Sequence, residues 1–336
     1  MTRRTKLVPE VDFDKPGAQY GYVRLFHSVH SSAYGYIPIP VVVLRRGEGP
    51  TALFISGTHG DEYEGQVALC NLARTLRPET IQGRVILLPA ANLPAAVAGR
   101  RTSPIDGGNL NRLFPGDPDG SVTEQIAWFI EHELVARADM ICDLHSGGSS
   151  LMYVPSALMM QDDEDPVRQA KLLAALRAFG APVSYVGHAS PGQGAVRTTS
   201  GAGLRAGKLV LGSELGGAGT VTPAAVRVAE RGLRNVLAHM GIVPDSLAEP
   251  HATRLLDVAG PDYFVYSPGP GLYEPLVELG DTVAAGQPAA RIHQPETPWA
   301  EAEEVAFARG GFVLCKRIPG RTVRGDCLFH LGTDLA

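Results

Sequence analysis

Cysteine is scarce in this chain, and the four that occur (Cys70, Cys142, Cys315 and Cys327) form no C-x-x-C pair. That scatter gives no disulfide framework and no paired-thiol metal or redox motif. Cys70 and Cys142 lie in apolar patterns, so the cysteines read as reduced core residues of a cytoplasmic protein. No apolar run of transmembrane length occurs. The start M1-T-R-R-T-K-L-V-P-E10 is basic, but Pro, Glu and Asp stand where the apolar region of a secretory signal belongs. Charge of one sign is also lacking: 30 basic residues face 35 acidic ones, the formal net charge is −5, and no long Lys/Arg run occurs. Nucleic acid and membrane surfaces are therefore not expected as partners, which leaves a small molecule or a peptide. There is no internal repeat and no low-complexity tract.

What is present is a globular composition. The 336 residues are 44% apolar and 19% charged, enough for one large core and a second, smaller one. Y20-G-Y-V-R-L-F26 and I37-P-I-P-V-V-V-L44 read as two strands at a sheet edge. Short apolar runs then recur at T51-A-L-F-I-S56, R84-V-I-L-L88, A138-D-M-I-C142 leading into D143-L-H145, and K208-L-V-L-G-S213. Helical spacing appears among them at 64–76, 123–135, 166–179 and 223–240. Strands alternating with helices predict an α/β domain whose sheet is buried on both faces.

Near residue 245 the character changes. The chain loses convincing helices and fills with Gly, Pro and Val, with turn signals at S267-P-G-P-G271, L279-G-D281 and residues 285–288. The expected division is residues 1–245 for an α/β domain and 246–336 for a small β-domain. Residues 271–292 resemble the half-motif of biotinyl and lipoyl carrier domains, but H293-Q-P-E-T-P-W-A-E-A-E-E304 holds no lysine to modify. The resemblance therefore extends to fold and not to carrier function.

In open α/β sheets ligands bind beyond the carboxyl ends of strands. Three such ends carry ligand-type residues: His59 and Glu62 after the run at 51–56, His145 after the run at 138–142, and Glu214 after the run at 208–213. Glycines accompany each group and let backbone approach a ligand. His59 and Glu62, three apart on a turn entering a helix, face one side, whereas Asp61 points elsewhere. Two histidines and a carboxylate, with a fourth position for water, make the ligand set of a catalytic zinc site, and Glu214 is then the candidate general base. Asp143 is placed to orient a ligand histidine. The bland alternative is that each is a hydrogen-bonded structural residue; coincidence at three strand ends favours the metal. The remaining histidines have no such company and read as structural or surface residues.

The loop from Ala90 to Gly116 combines Gly and Pro with Arg100, Arg101, Arg112, Asn109 and Asn111. Asn111 and Arg112 suit a substrate carboxylate, and Arg101 or Arg100 suits an oxyanion. The competing reading is that Arg112 ties the loop down through structural salt bridges.

H59-G-D-E62, N109-L-N-R112, D143-L-H-S-G147 and E214-L-G-G217 occur in the order seen in the succinylglutamate desuccinylase and aspartoacylase family, relatives of the zinc carboxypeptidases, and the chain resembles that family over residues 40–330. The resemblance implies a mixed, largely parallel sheet with helices on both faces, a small C-terminal β-domain of barrel-sandwich or lipoyl-like type, and one zinc ion per chain. It implies hydrolysis of a small N-acyl amino acid. His59, Glu62 and His145 match the metal ligands, Glu214 the catalytic carboxylate, and Asn111 with Arg112 the carboxylate-binding pair. Arg101 is a looser match for the oxyanion residue, with Arg100 in contention. Within the family, residues 57–65 and 103–116 look most like the deacetylases of N-alpha-acetyl-2,4-diaminobutyrate, whose ammonium could meet Q161-D-D-E-D165; the plainer reading of that run is a solvated loop before a helix. A metallocarboxypeptidase and a non-catalytic zinc-containing binding protein remain as other classes, and a homo-oligomer is left open.

Overall fold

The computed structural model describes residues 4–188 and 195–335. The first strands alternate apolar and polar residues, the pattern of a sheet with one face on a core. β1 (Val8–Pro9), β2 (Gly17–Phe26) and β3 (Tyr36–Arg46) pair antiparallel, with β2 and β3 in register from Gly17↔Arg45 to Phe26↔Tyr36. Val23, Leu25, Ile39, Val41 and Val43 are buried, whereas Tyr20, Tyr22 and Phe26 are exposed.

The chain then alternates strands and helices. In order come β4 (Thr51–Ser56), α1 (Glu64–Thr75), β5 (Gly83–Leu88), α2 (Leu93–Ala98), α3 (Val122–Phe129), β6 (Met140–His145), β7 (Leu151–Tyr153), β8 (Ser156–Met160), α4 (Pro166–Phe179), β9 (Val183–Gly187), α5 (Thr199–Arg205), β10 (Leu209–Glu214), α6 (Pro223–His239) and β11 (Arg254–Val258). Their sheet runs β1-β2-β3-β5-β4-β6-β10-β8-β9-β11. It is parallel from β5 through β4 and β6 to β10 and again from β8 through β9 to β11, with antiparallel joints at β3/β5 and β10/β8. All six residues of β4 are buried, as a strand covered on both faces requires. Phe54 faces the core built with Leu69 and Leu72 of α1, Phe179 of α4 and Leu233 of α6, while Leu53 and Ile55 face the core built with Ile126 and Phe129 of α3. The fold is the mixed, largely parallel α/β architecture expected from the sequence.

Local chemistry sets the helix ends. Asp165 caps α4 by accepting hydrogen bonds from the N–H groups of Val167 and Arg168, Pro166 opens the helix, and Gly180 closes it at φ +67°. Asp162 pairs with Arg168 and Asp163 accepts from Gln161, so the 161–165 acidic run is engaged locally. The helix expected over 123–135 is α-helical only to Phe129 and continues as a π turn at Ile130–Leu134. α2 and α5, of 6 and 7 residues, are too short to leave a periodic trace. Cys70, expected in the core, is exposed because α1 buries the opposite stripe at Ala68, Leu69 and Leu72; Cys142 and Cys315 are buried, and the four cysteines are free thiols.

No break in the sheet marks residue 245. β11 adds parallel to β9, and the last strand adds antiparallel to β11. Beyond β11 come β12 (Phe264–Tyr266), β13 (Gly271–Pro275), β14 (Thr282–Val283), β15 (Pro288–His293), β16 (Glu303–Ala306), β17 (Gly311–Arg317), β18 (Arg321–Thr322) and β19 (Cys327–Asp334). A separate four-stranded sheet, β16-β15-β13-β18, shares a third core with β17 and β19 through Tyr273, Ile292, Phe307, Val313 and Phe329. β17 also pairs with β7, so this layer grips a segment of the α/β part.

His330, on β19, is buried in that third core. Its ring stacks on Phe264 at 4.3 Å between centroids and meets Tyr153 and Tyr185 edge-on. Burial pushes its pKa down to about 3. The unfolded chain therefore takes up a proton near pH 6.5 that the folded chain refuses, and stability is lost as pH falls from about 6.5 toward 3. Replacing His330→Phe should remove this loss: the stability difference from wild type should grow in the variant's favour by up to about 1.4 kcal/mol per pH unit as pH falls through that range. Urea unfolding of both proteins from pH 7 to pH 4 measures it, and parallel stability curves would assign the acid sensitivity to other groups.

Candidate metal centre and active site

β4, β6 and β10 are adjacent and parallel, so their carboxyl ends open on one edge of the sheet. His145 and Glu214 end their strands in register with one another, which points both side chains to the same face. His59 and Glu62 lie in the turn between β4 and α1. That turn packs tightly: Gly60 donates its N–H to the Arg100 carbonyl at 2.8 Å, and a Cβ on Gly60 would fall 2.0 Å from the Ala95 carbonyl.

Glu62 is the centre of the arrangement. Its Oε1 lies 2.7 Å from His59 Nδ1 and its Oε2 lies 2.7 Å from His145 Nδ1, and all three residues are largely or fully buried. The outer ring nitrogens are held by other groups: His59 Nε2 is 3.1 Å from Asn109 Oδ1, and His145 Nε2 is 3.0 Å from Asp143 Oδ2. Each Nε2 thus has an acceptor on its outer side and each Nδ1 faces inward toward Glu62, the orientation from which a deprotonated Nδ1 could ligate a metal. Asp143 is itself fixed by Thr58 Oγ1 at 2.9 Å.

The charges of these groups are tightly linked. Burial opposes charge on Glu62, yet the two histidines outweigh it and hold its pKa well below the ordinary carboxylate range. Burial likewise opposes charge on His145, but the Asp143 and Glu62 carboxylates push its pKa well above the usual imidazole value. His59 is lowered by burial. Among the described residues, His59, Glu62 and His145 are the group of three or more whose donor atoms converge closely enough to hold a metal ion, all within 4.8 Å of one another. Two imidazoles and one carboxylate fit zinc with an open position, and no cysteine is present to close a structural site.

The remaining predicted residues surround a cavity of about 310 Å³ lined by the three ligands with Arg101, Asn111, Arg112, Ser146, Ser150, Tyr153 and Glu214 among others. Larger cavities elsewhere lack this chemistry; that beside the 161–165 run shares no residue with the site. Glu214 is partly buried beside the centre, with its Oε2 covered and unpartnered; desolvation and the Glu62 carboxylate raise its pKa to about 8. Arg101, itself half-exposed, brings Nη1 to 3.3 Å from Glu62 Oε1, whereas Arg100 joins the turn through its backbone, its N–H donating to the Ala95 carbonyl and its carbonyl accepting from Gly60. Arg112 lines the cavity with no ion pair to any carboxylate among the described residues, and burial and the Arg101 charge lower its pKa. Asn111 Oδ1 accepts from the Thr199 N–H at 3.0 Å, which fixes the amide and leaves Nδ2 as the cavity-side donor, 3.3 Å from His145 Nε2.

Sequence reasoning missed the role of Asn109, whose only signal was its place in N109-L-N-R112, and it missed Tyr153, which reaches the cavity because β17 pairs with β7. It also gave no task to Asp61 or Glu64. Asp61 accepts from Ser149 N and Oγ at 2.9 Å, and Glu64 accepts from Gly217 N at 2.9 Å.

Known proteins resemble this chain over nearly its whole length. The chain is 43% identical over 328 residues to an N-alpha-acetyl-L-2,4-diaminobutyric acid deacetylase of Halomonas elongata, covering 97% of this chain and 94% of that protein. It superposes with a TM-score of 0.94 and 40% identity on the product-bound ectoine utilization protein EutE (DoeB) of Ruegeria pomeroyi, covering 99% of this chain and 100% of the other. A succinylglutamate desuccinylase/aspartoacylase of Rhodobacter sphaeroides matches with a TM-score of 0.92 and 39% identity, again over 99% of this chain and 100% of the other. The family model of the succinylglutamate desuccinylase/aspartoacylase catalytic domain matches residues 48–240. The chain with its His59, Glu62 and His145 centre belongs to the succinylglutamate desuccinylase/aspartoacylase family.

Proposed function

We propose that this protein is a zinc-dependent deacylase that hydrolyses the amide bond of a small N-acyl amino acid. The observation that carries the reading is Glu214: a partly buried carboxylate with one covered, unpartnered oxygen, raised toward neutrality, beside a convergent His-Glu-His set in a cavity walled by two arginines. A base with a pKa near the working pH both accepts and returns a proton efficiently. Zinc held by His59, Glu62 and His145 would supply Lewis-acid polarisation of the acyl carbonyl and an acidified water.

The side chains divide the remaining work. Glu214 takes a proton from the attacking water as the new C–O bond forms, and it delivers that proton to the amine nitrogen as the C–N bond breaks. Arg101 faces the centre and neutralises the charge developing on the acyl oxygen. Arg112, with no acidic partner among the described residues, and the Asn111 amide bind the amino-acid carboxylate. The products are a carboxylate and a free amino acid.

The Halomonas relative supports N-alpha-acetyl-L-2,4-diaminobutyrate as the preferred substrate. A second reading, a succinylated or aspartate-derived substrate bearing two carboxylates, draws on Arg101 and Arg112 standing together where, among the described residues, Glu62 and Glu214 are the only carboxylates lining the cavity. Amine release from a panel of acetyl-diaminobutyrate, acetyl-aspartate, succinyl-glutamate and dipeptides separates these. Preference for acetyl-diaminobutyrate is expected, and cleavage of the dipeptides alone would mark a peptidase instead. Chelation should abolish release, with zinc restoring it at one ion per chain; full activity without metal would remove the proposed centre from the chemistry. Glu214→Gln should retain zinc while kcat drops about 10²–10⁴-fold, the contribution expected of a general base. Arg112→Ala should raise KM at least about tenfold, the loss of a charge-assisted pair, and an unchanged KM would return Arg112 to a structural role.

A further inference from the structure

The turn G57-T-H-G-D-E-Y-E-G65 holds three carboxylates, and only Glu62 reaches the metal centre. Asp61 and Glu64 are nonetheless as buried as Glu62, at 5% and 1% exposure against 2%. Buried carboxylates depend on the hydrogen bonds they accept, and each of these two accepts through one oxygen, Asp61 Oδ1 and Glu64 Oε2 having no partner among the described residues.

Asp61 Oδ2 accepts from both the backbone N–H and the hydroxyl of Ser149, at 2.9 Å each. Ser149 belongs to the loop after β6 whose neighbours Ser146, Gly147 and Ser150 line the cavity. Gly148 sits at φ +56° against the Asp61 carboxylate, where a Cβ would come within 2.7 Å of Oδ2. Glu64 reaches the other side. Its Oε1 accepts from Gly217 N–H at 2.9 Å, in the turn that follows Glu214, and a Cβ on Gly216 would meet the same oxygen at 2.8 Å. That turn is otherwise tied mainly by backbone: Gly216 carbonyl accepts from Gly147 at 3.0 Å and from Tyr153 at 2.9 Å, and Ala218 donates to Leu151 at 2.9 Å, while the Thr220 hydroxyl donates to the Gly217 carbonyl at 2.9 Å. A single short segment, the one bearing two metal ligands, thus holds the cavity loop with one carboxylate and the base-bearing turn with another.

We propose that Asp61 and Glu64 are positioning residues that set the cavity wall and Glu214 against the metal ligands. The inference rests on the deacylase reading of the site. Each carboxylate acts as an acceptor of protein N–H and O–H groups, so an amide of the same shape can replace it whereas a methyl group cannot. Displacement of a base or a reacting group by about 1 Å is enough to cost about 10²-fold in rate while leaving binding intact.

The experiment uses the full zinc-loaded chain as wild type, Asp61→Asn, Asp61→Ala, Glu64→Gln and Glu64→Ala. It measures zinc content, thermal unfolding, and kcat and KM on the acyl amino acid that wild type hydrolyses best. The alanine variants should bind one zinc with KM within about threefold of wild type and lose roughly 10–100-fold in kcat, and the amide variants should recover to within about fivefold of wild-type kcat. Alanine variants with wild-type kcat would overturn the proposal, as would amide variants as slow as the alanine ones, which would make the charge and not the acceptor the requirement. Should an alanine variant fail to fold, its amide counterpart decides: recovery of kcat upholds the acceptor role and its loss rejects it. An inactive wild type across the whole panel would instead bring down the deacylase reading and this inference with it.

Discussion

The structure of the site depends on one carboxylate. Glu62 spans the gap between the inner nitrogens of two histidines that come from different strand ends, and it is almost wholly buried while doing so. A charge in that position is costly unless cations or strong donors surround it. The surroundings supply that compensation, and they do so in layers. Asn109 and Asp143 orient the histidine rings from outside, Arg101 approaches from the cavity side, and Thr58 holds Asp143 in turn. Every one of these groups is a polar side chain at the carboxyl edge of a buried parallel sheet, which is where such a fold can expose them without disturbing its cores.

The scaffold explains why the centre can be rigid. β4 and β6 are buried on both faces, and β10 pairs with β6 along its whole length with His145 opposite Glu214. His145 and Glu214 are therefore spaced by a hydrogen-bonded ladder and not by loop conformation. The loops that remain are fastened individually: Gly60 to Arg100, Ser149 to Asp61, Gly217 to Glu64, and Asn111 to the start of α5 through Thr199. The C-terminal layer joins in through β17, whose pairing with β7 brings Tyr153 into the cavity wall.

Much of this was legible in the chain. Helices of twelve residues or more announced themselves by spacing, and α4 kept its expected bounds at Pro166 and Phe179 because Asp165 and Gly180 cap it. The strand ends carrying His59, Glu62, His145 and Glu214 were likewise found, since apolar runs end abruptly in polar residues there. Short elements were not: α2, α5 and β7 are each below the length at which periodicity means anything. Cys70 misled because an apolar residue on an amphipathic helix can fall on the solvent side of the stripe.

By itself the sequence determined which residue types stand at which strand ends, and therefore that two histidines and two carboxylates could share one edge of an α/β sheet. Those facts follow from local pattern, because burial on both faces requires apolar runs and the chain must turn where they stop. Only the tertiary structure decided which nitrogen of each histidine faces inward, that Arg101 and not Arg100 enters the cavity, and that Asp61 and Glu64 clamp segments far along the chain. These are matters of distance between parts separated by dozens of residues, and no local pattern encodes them: the order β5-β4-β6-β10 brings the segments together, and the packing of their side chains fixes the rest.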